Sequence, residues 1–379
     1  MTVTIAIDSF KGSLGSIEAG NAVAEGIKRV YPDAIINVHP VADGGEGTTE
    51  ALAASLGGAL RTVKAHDALM WETECTYAVA GKTAIIEMAA AAGLPGLKES
   101  ERAPLKTTTY GVGEMIADAL SIGCRDFVVG IGGSATNDGG TGMLTALGFR
   151  FTDKTDHPIP LGAEGLKDLA HIDDSAIPKE LRESRFRVAC DVENPLCGVN
   201  GCSAVYGPQK GATPEAVSLM DGWLETFAAI TKEKYPTSNK DFPGAGAAGG
   251  LGFALREYLG GKLVSGIKLI LAVSGLEDYI KTSDIVITGE GRLDSQSAMG
   301  KAPAGVAELA KKHRKPCIAF AGAVSEDADI CNTVGIDAFF PIRRRICTLE
   351  EALDKENARR DLSDTAEQVF RLIKSFDQI

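Results

Sequence analysis

The chain has 379 residues, 44% of them hydrophobic, enough to build two globular domains rather than one. Its formal charge of −12, from 39 lysines and arginines against 51 acids, excludes a general nucleic-acid binder, which needs a basic footprint to displace counterions. Eight scattered cysteines, without a Cys-x-x-Cys pair and with no histidine at ligand spacing, suggest neither a zinc site nor a disulfide framework. They read as buried thiols of a cytoplasmic protein.

In chain order, Val3 to Ile7 is a β-rich run that ends in Asp8-Ser9-Phe10-Lys11-Gly12-Ser13, and a helical pattern follows from Ile17 to Val30. The start on a strand, and the lack of any run of about 18 apolar residues, predict neither a signal peptide nor a membrane span. A second strand over Ile35 to Ala42 releases Asp43-Gly44-Gly45-Glu46-Gly47-Thr48 before a helix through Leu56. Two strands thus deliver carboxylates at their carboxyl ends, where open α/β sheets bind ligands, although an Asp in that place is also an ordinary turn former.

From about Leu60 the rhythm changes to the hairpin Thr73 to Val79 and Thr83 to Met88. Its Gly81-Lys82-Thr83 is no phosphate-binding Walker loop, because Thr76 stands where that motif requires glycine. After a helix over Gly111 to Leu120, the run Val128 to Ile131 feeds Gly132-Gly133-Ser134-Ala135-Thr136-Asn137-Asp138-Gly139-Gly140. Glycine-dense, hydroxyl-bearing and followed by a helical stretch from Thr141, it reads as a phosphate cradle: glycine amides approach an anion that a Cβ would hold off. A strand over Arg187 to Cys190 ends in Asp191, and Lys210 sits in the turn Gly207 to Gly211, where ordinary solvation is the alternative to ligand binding. Gly244 to Gly249 has dinucleotide-fingerprint spacing, but a polar, proline-bearing stretch precedes it instead of a strand, which argues against a nicotinamide site.

After Leu276 strand and helix alternate again: Ser283 to Thr288 releases Gly289-Glu290-Gly291-Arg292-Leu293-Asp294, a helix covers Ala302 to His313, and Cys317 to Gly322 and Asp337 to Pro341 are strands. These three strands and the two amino-terminal ones predict an α/β fold: a flavodoxin-like doubly wound parallel sheet, residues 1–62 and 280–379, interrupted by an inserted α/β domain, residues 63–279. Asp8, Asp43 and Glu290 then share one rim, where like charges need a cation or basic groups among them.

Taken together, Asp8 to Ser13, Ala42 to Thr48, Gly132 to Gly140, Gly207 to Ala212, Pro243 to Gly250 and Thr288 to Asp294 resemble the motifs of the bacterial type I glycerate kinases. The resemblance runs nearly end to end and in order. It implies transfer of the ATP γ-phosphoryl group to D-glycerate with Mg²⁺, giving 2-phosphoglycerate; phosphorylation at the 3-hydroxyl and an oxidoreductase acting on a small hydroxy acid are the alternatives. Within that expectation Asp43 and Glu290 are metal-ligand candidates, and Asp191 is the favoured base with Asp294 as runner-up. Lys11, Lys210 and Arg292 are candidates for anionic groups of the substrates. Asp8, Ser9, Ser13, Gly132, Gly133, Ser134, Asn137 and Asp138 complete the expected substrate and phosphate contacts, Asn137 and Asp138 having the alternative of only shaping their turn. Asp294 has the alternative of capping the next helix. Glycerate and ATP are the expected partners, with no nucleic acid and no membrane, and a homo-oligomer is compatible with the sequence. The run Arg343-Arg344-Arg345 has no evident role.

Overall fold

The computed structural model describes residues 1–376 except Asp43 and Glu46. The strands are β1 (Thr2–Ile7), β2 (Ile35–Val38), β3 (Ala59–His66), β4 (Glu72–Ala80), β5 (Thr83–Glu87), β6 (Asp126–Gly130), β7 (Arg150–Thr152), β8 (His171–Asp173), β9 (Arg185–Ala189), β10 (Lys262–Val264), β11 (Ile285–Leu293), β12 (Cys317–Val324) and β13 (Ala338–Pro341). They divide between two compact units, the first formed by residues 1–43, 50–57 and 267–379, the second by 44–49 and 58–266.

In the first unit five strands lie in the order β13-β12-β11-β1-β2, every neighbouring pair parallel. Counted along the chain within this unit, that is the doubly wound order 2-1-3-4-5, whose switch point falls between β1 and β11. Strand alternation sends Ile5, Ile7 and Ile287 to one face, against a core that includes Val23 and Ile27 from the helix Ser16–Val30 and Leu362 and Phe370 from the helix Lys355–Phe376. Ala6, Val286, Ala319 and Ala321 face the other way, toward Ile267, Leu271 and Val306. Both faces are therefore covered, and the rim at the carboxyl ends of the strands is left for chemistry.

The second unit holds a six-stranded sheet in the order β10-β9-β6-β5-β4-β3, parallel from β10 to β5 and antiparallel over β5-β4-β3, and a separate β7-β8 ribbon. Ala84, Ile86, Phe127, Val129, Phe186 and Val188 alternate onto the face that carries its core. β3 moves the boundary expected at residue 62: residues 59–66 pair with β4 and belong to this sheet. The other boundary lies at residue 266 rather than 279, because Ile267 and Leu271 of the helix Gly266–Ser274 join the first unit's core. Among the described residues no helix is long and apolar enough to cross a membrane, and all eight cysteines are free thiols.

The unexplained arginine run ties down the carboxyl-terminal helix. Arg343 pairs with the mostly buried Asp361 at 3.0 Å, and Arg344 pairs with Asp364 at 2.9 Å. Along the same helix Gly26 lets two backbones meet, since a Cβ there would lie 2.1 Å from the Ser363 carbonyl oxygen. Gly26→Ala should therefore cost about 1–3 kcal/mol by overpacking. We expect a lowered Tm with turnover per folded molecule unchanged; an unaltered Tm would show that the two helices separate easily.

Candidate active site

At the switch point of the first unit the Asp8 amide donates to the Gly289 carbonyl at 2.9 Å, which continues the β1-β11 ladder by one residue. Asp8 and Glu290 thereby become neighbours on adjacent strands, about 5 Å apart across the ladder, and both are buried. The Asp8 carboxylate also accepts the Ser9 amide at 2.7 Å. Gly291 keeps the backbone of Phe10 and Lys11 close, its site leaving 3.4 Å from a Cβ to each. Lys11 is exposed there, and the Ser13 hydroxyl is buried with no hydrogen-bond partner among the described residues.

β11 runs on through Leu293 instead of ending at Thr288, because Glu290, Arg292 and Leu293 pair with Ala321, Ala323 and Val324 of β12, which is only one residue shorter. Arg292 thus stands on a strand, with its Nε donating to Ser325 Oγ at 3.0 Å and 3.9 Å from Asp294. Beside it a cavity of about 570 Å³ is lined by Arg292 and by Ala323 to Asp327. Asp294 Oδ1 accepts the amides of Gln296 and Ser297, at 3.0 and 3.2 Å, and Lys301 lies 4.0 Å away. It organises its own turn, whereas the helix Ala302–Lys312 begins after Lys301. Asp43 lies outside the described residues.

In the second unit the parallel strands deliver Glu87, Gly130 and Asp191 to one rim. Glu87 Oε1 accepts the Thr49 amide at 2.7 Å. Gly130 lets the Gly44 carbonyl lie where a Cβ would be 2.6 Å from it, and Gly132 passes Gly45. Asp191 is exposed and accepts the Gly266 amide at 2.9 Å.

The loop after β6 divides into two parts. Asp138 is fully buried and accepts from the Gly140 amide at 3.0 Å and the Gly142 amide at 3.3 Å. It also accepts from the Thr108 hydroxyl at 3.1 Å and from the amide and hydroxyl of Thr109 at 2.8 and 2.9 Å. The anion in this amide nest is the protein's own carboxylate, so Asp138 shapes the loop. Asn137 is equally buried, with Nδ2 donating to Ser203 Oγ at 2.8 Å. The later glycines serve packing: a Cβ at Gly140, where φ is +79°, would meet Ala254 at 2.4 Å, and one at Gly249 would meet the Thr136 carbonyl at 2.0 Å. Gly132 and Gly133 are exposed and remain available to a ligand.

Lys210 is not solvated. It is 1% exposed, and its ammonium donates to Ser134 Oγ at 2.8 Å and to the Thr136 carbonyl at 2.7 Å. Burial pulls its pKa down to about 8, against smaller opposing effects of Cys202 and Asp138. Sequence reasoning missed Thr107-Thr108-Thr109, Glu87, Ser203 and Ser325. Only the threonine triplet before a helix offered a local signal, since the others gain their roles through contacts with chain remote in sequence.

Two outcomes follow from this loop. Asp138→Asn should lower stability by about 3 kcal/mol, because an amide cannot replace an acceptor with this many donors; denaturant unfolding measures it, and an unchanged midpoint would contradict the buried nest. For Lys210 the ordinary pKa is 10.5 and the folded value about 8. Between them the unfolded chain holds a proton that the folded chain has released, so stability gains from this group as pH rises from about 8 to 10.5. Lys210→Met removes that gain, and the stability of the original chain relative to the variant should climb across this window. A flat difference would mean that the ammonium reaches water.

The glycerate kinase family model matches residues 3–374. A "Glycerate kinase" of Haemophilus influenzae is 46% identical over 98% of this chain and 99% of its own length. A "Glycerate 2-kinase" of Escherichia coli K12 is 45% identical over 93% of each. A crystal structure named for glycerate kinase 2 from Salmonella typhimurium LT2 superposes with a TM-score of 0.92, at 43% identity and with both chains fully covered. A match over this much of the chain leaves one assignment: the chain belongs to the glycerate kinase family.

Proposed function

We propose that this protein is an ATP-dependent kinase that transfers the γ-phosphoryl group to the 2-hydroxyl of D-glycerate, releasing 2-phosphoglycerate in the cytoplasm. The observation that carries this reading is the near end-to-end match to glycerate kinases, supported by the polar residues that this chain places on strand-end rims suited to anionic ligands. The oxidoreductase alternative loses its one supporting motif: the glycines at 244–250 serve close backbone packing, Gly249 against Thr136 and Gly246 against Pro195.

Phosphoryl transfer asks the protein to position reactants and neutralise charge. Asp8 and Glu290 offer hard oxygen donors on adjacent strands, a set that suits Mg²⁺, which takes one or two carboxylates and keeps its remaining positions for water and phosphate oxygens. Bound there, Mg²⁺ supplies charge neutralisation at the transferring phosphates. Lys11 and Arg292, both exposed, add positive charge, and the Arg292 fork suits carboxylate or phosphate. The amides of Gly132 and Gly133 and the Ser134 hydroxyl take phosphate oxygens, while Lys210 holds Ser134 in place. Asp191 accepts the proton of the 2-hydroxyl. Asp294 is the runner-up, and its Oδ1 accepts two amides of its own turn.

Incubation with ATP, Mg²⁺ and D-glycerate should yield 2-phosphoglycerate by ³¹P NMR; 3-phosphoglycerate would reassign the acceptor hydroxyl, and no turnover would end the kinase reading. Asp191→Asn should reduce kcat by about 10²–10⁴-fold, the usual size of a general-base contribution, with Tm nearly unchanged. Undiminished kcat would remove Asp191 from that role.

A further inference from the structure

The Lys210 ammonium is enclosed, with Ser134 Oγ and the Thr136 carbonyl as its acceptors. What the loop after β6 shows to solvent is therefore the backbone of Gly132 and Gly133, which offers amide dipoles and no full positive charge. A triphosphate brings several negative charges to that loop, and the chain itself carries a net charge of −12. Amides answer such a ligand in part, and a cation with a planar fork of donors answers it better.

Arg102 stands beside the same loop, where two stretches of the second unit frame Gly133 and Ser134. On one side the Leu94 amide donates to the Gly133 carbonyl at 2.8 Å and Gly93 bridges Ser134. That stretch continues through the turn Glu99–Glu101 into Arg102. On the other side Lys210 reaches Ser134 from the turn Gly207 to Gly211. Arg102 joins the two stretches. A Cβ at Gly211 would lie 2.7 Å from the Arg102 carbonyl oxygen, and Arg102 Nη1 donates to the Gln209 carbonyl at 3.4 Å. Farther along, Thr107 Oγ1 donates to the Ala135 carbonyl at 2.8 Å, so the chain after Arg102 is tied to the loop as well.

The backbone of Arg102 is thus fixed, whereas its guanidinium has no settled partner. Among the described residues no carboxylate lies within ion-pairing distance of it. Its Nε–H is buried without an acceptor, and the bond to Gln209 is long. A buried donor left unpaired on a charged group is costly, and the cost is relieved by any acceptor that draws the group out. The residue is half-buried, which lets the fork turn toward solvent while its aliphatic stem stays packed.

We propose that Arg102 is a further substrate-binding residue, which lays its guanidinium on the phosphate chain of the nucleotide held by Gly132, Gly133 and Ser134. This rests on the reading of that loop as a phosphate cradle. On binding, the fork exchanges the Gln209 carbonyl for phosphate oxygens, and Nε gains the acceptor it lacks. The two cations divide the work: Lys210 stays inside and orients Ser134, and Arg102 meets the ligand.

Titration of the full chain with a non-hydrolysable ATP analogue and Mg²⁺, alongside steady-state kinetics, tests this role. Arg102→Gln keeps a donor for the Gln209 carbonyl and removes the charge. It should weaken analogue binding and raise the KM for ATP by about tenfold, the size of a lost charge-assisted hydrogen bond, with the KM for D-glycerate and the Tm unchanged. Added salt should narrow the difference between variant and original chain, because it screens the charge that only the original carries. Arg102→Lys keeps the charge without the fork and should lose only about threefold; it also carries the test if the glutamine variant melts early. Analogue binding as tight in Arg102→Gln as in the original chain would overturn the proposal. So would a KM raised for D-glycerate in place of ATP, or a lysine variant no better than the glutamine one, since the charge would then play no part. An original chain that binds no nucleotide would end the kinase reading and this proposal with it.

Discussion

A buried carboxylate sets the geometry of the second unit's rim. Asp138 has no exposed surface, and backbone amides and hydroxyls from two separate stretches of chain converge on it. Such a charge is tolerable inside a protein only because its donors are already in place. It fixes Thr108-Thr109 to the loop after β6, and the Thr109 hydroxyl goes on to accept the Met143 amide at 2.9 Å. From the other side Gly139 donates to the Gly249 carbonyl at 2.9 Å. With its later half held in this way, the loop can present Gly132, Gly133 and Ser134 in one conformation. Lys210 adds a second internal charge with its own acceptors. Together the two ionised groups act as fixed points of the loop, and the exposed atoms around them are the ones left to meet substrate.

The first unit reaches its rim by a different route. Its chemistry follows from strand order: the switch point lies between β1 and β11, and Asp8 and Glu290 are the residues that follow the paired Ile7 and Gly289. Carboxylates so placed repel unless cations accompany them, and Lys11 and Arg292 come from the same two strand ends. The roles proposed for the two rims rest on charge placement more than on covalent chemistry, as expected of a reaction whose transition state spreads charge over oxygen.

The fold was largely legible because the first unit alternates strand and helix with clear periodicity, and Asp8 and Glu290 sit where the topology makes them neighbours. What escaped the sequence was decided by contacts between remote segments. Gly132 and Gly140 look alike in a string of glycines; one is exposed and the other is pressed against Ala254. Lys210 resembles any surface lysine until Ser134 and Thr136 close around it. Glu87 looked like the end of a hairpin strand, and its bond to the Thr49 amide joins it to chain 38 residues earlier. The continuation of β11 past Gly289 depended on the nearly matching length of β12, which propensity does not encode.

The division of the loop is most directly tested by following backbone amide resonances while a non-hydrolysable ATP analogue is added with Mg²⁺. The account predicts that the amides of Gly132 and Gly133 shift with saturable dependence on nucleotide, while those of Gly140 and Gly142 stay in place on the Asp138 carboxylate. Shifts at Gly140 and Gly142 as large as those at Gly132 and Gly133 would contradict it, since they would mean that the nest gives up its own carboxylate to hold the ligand.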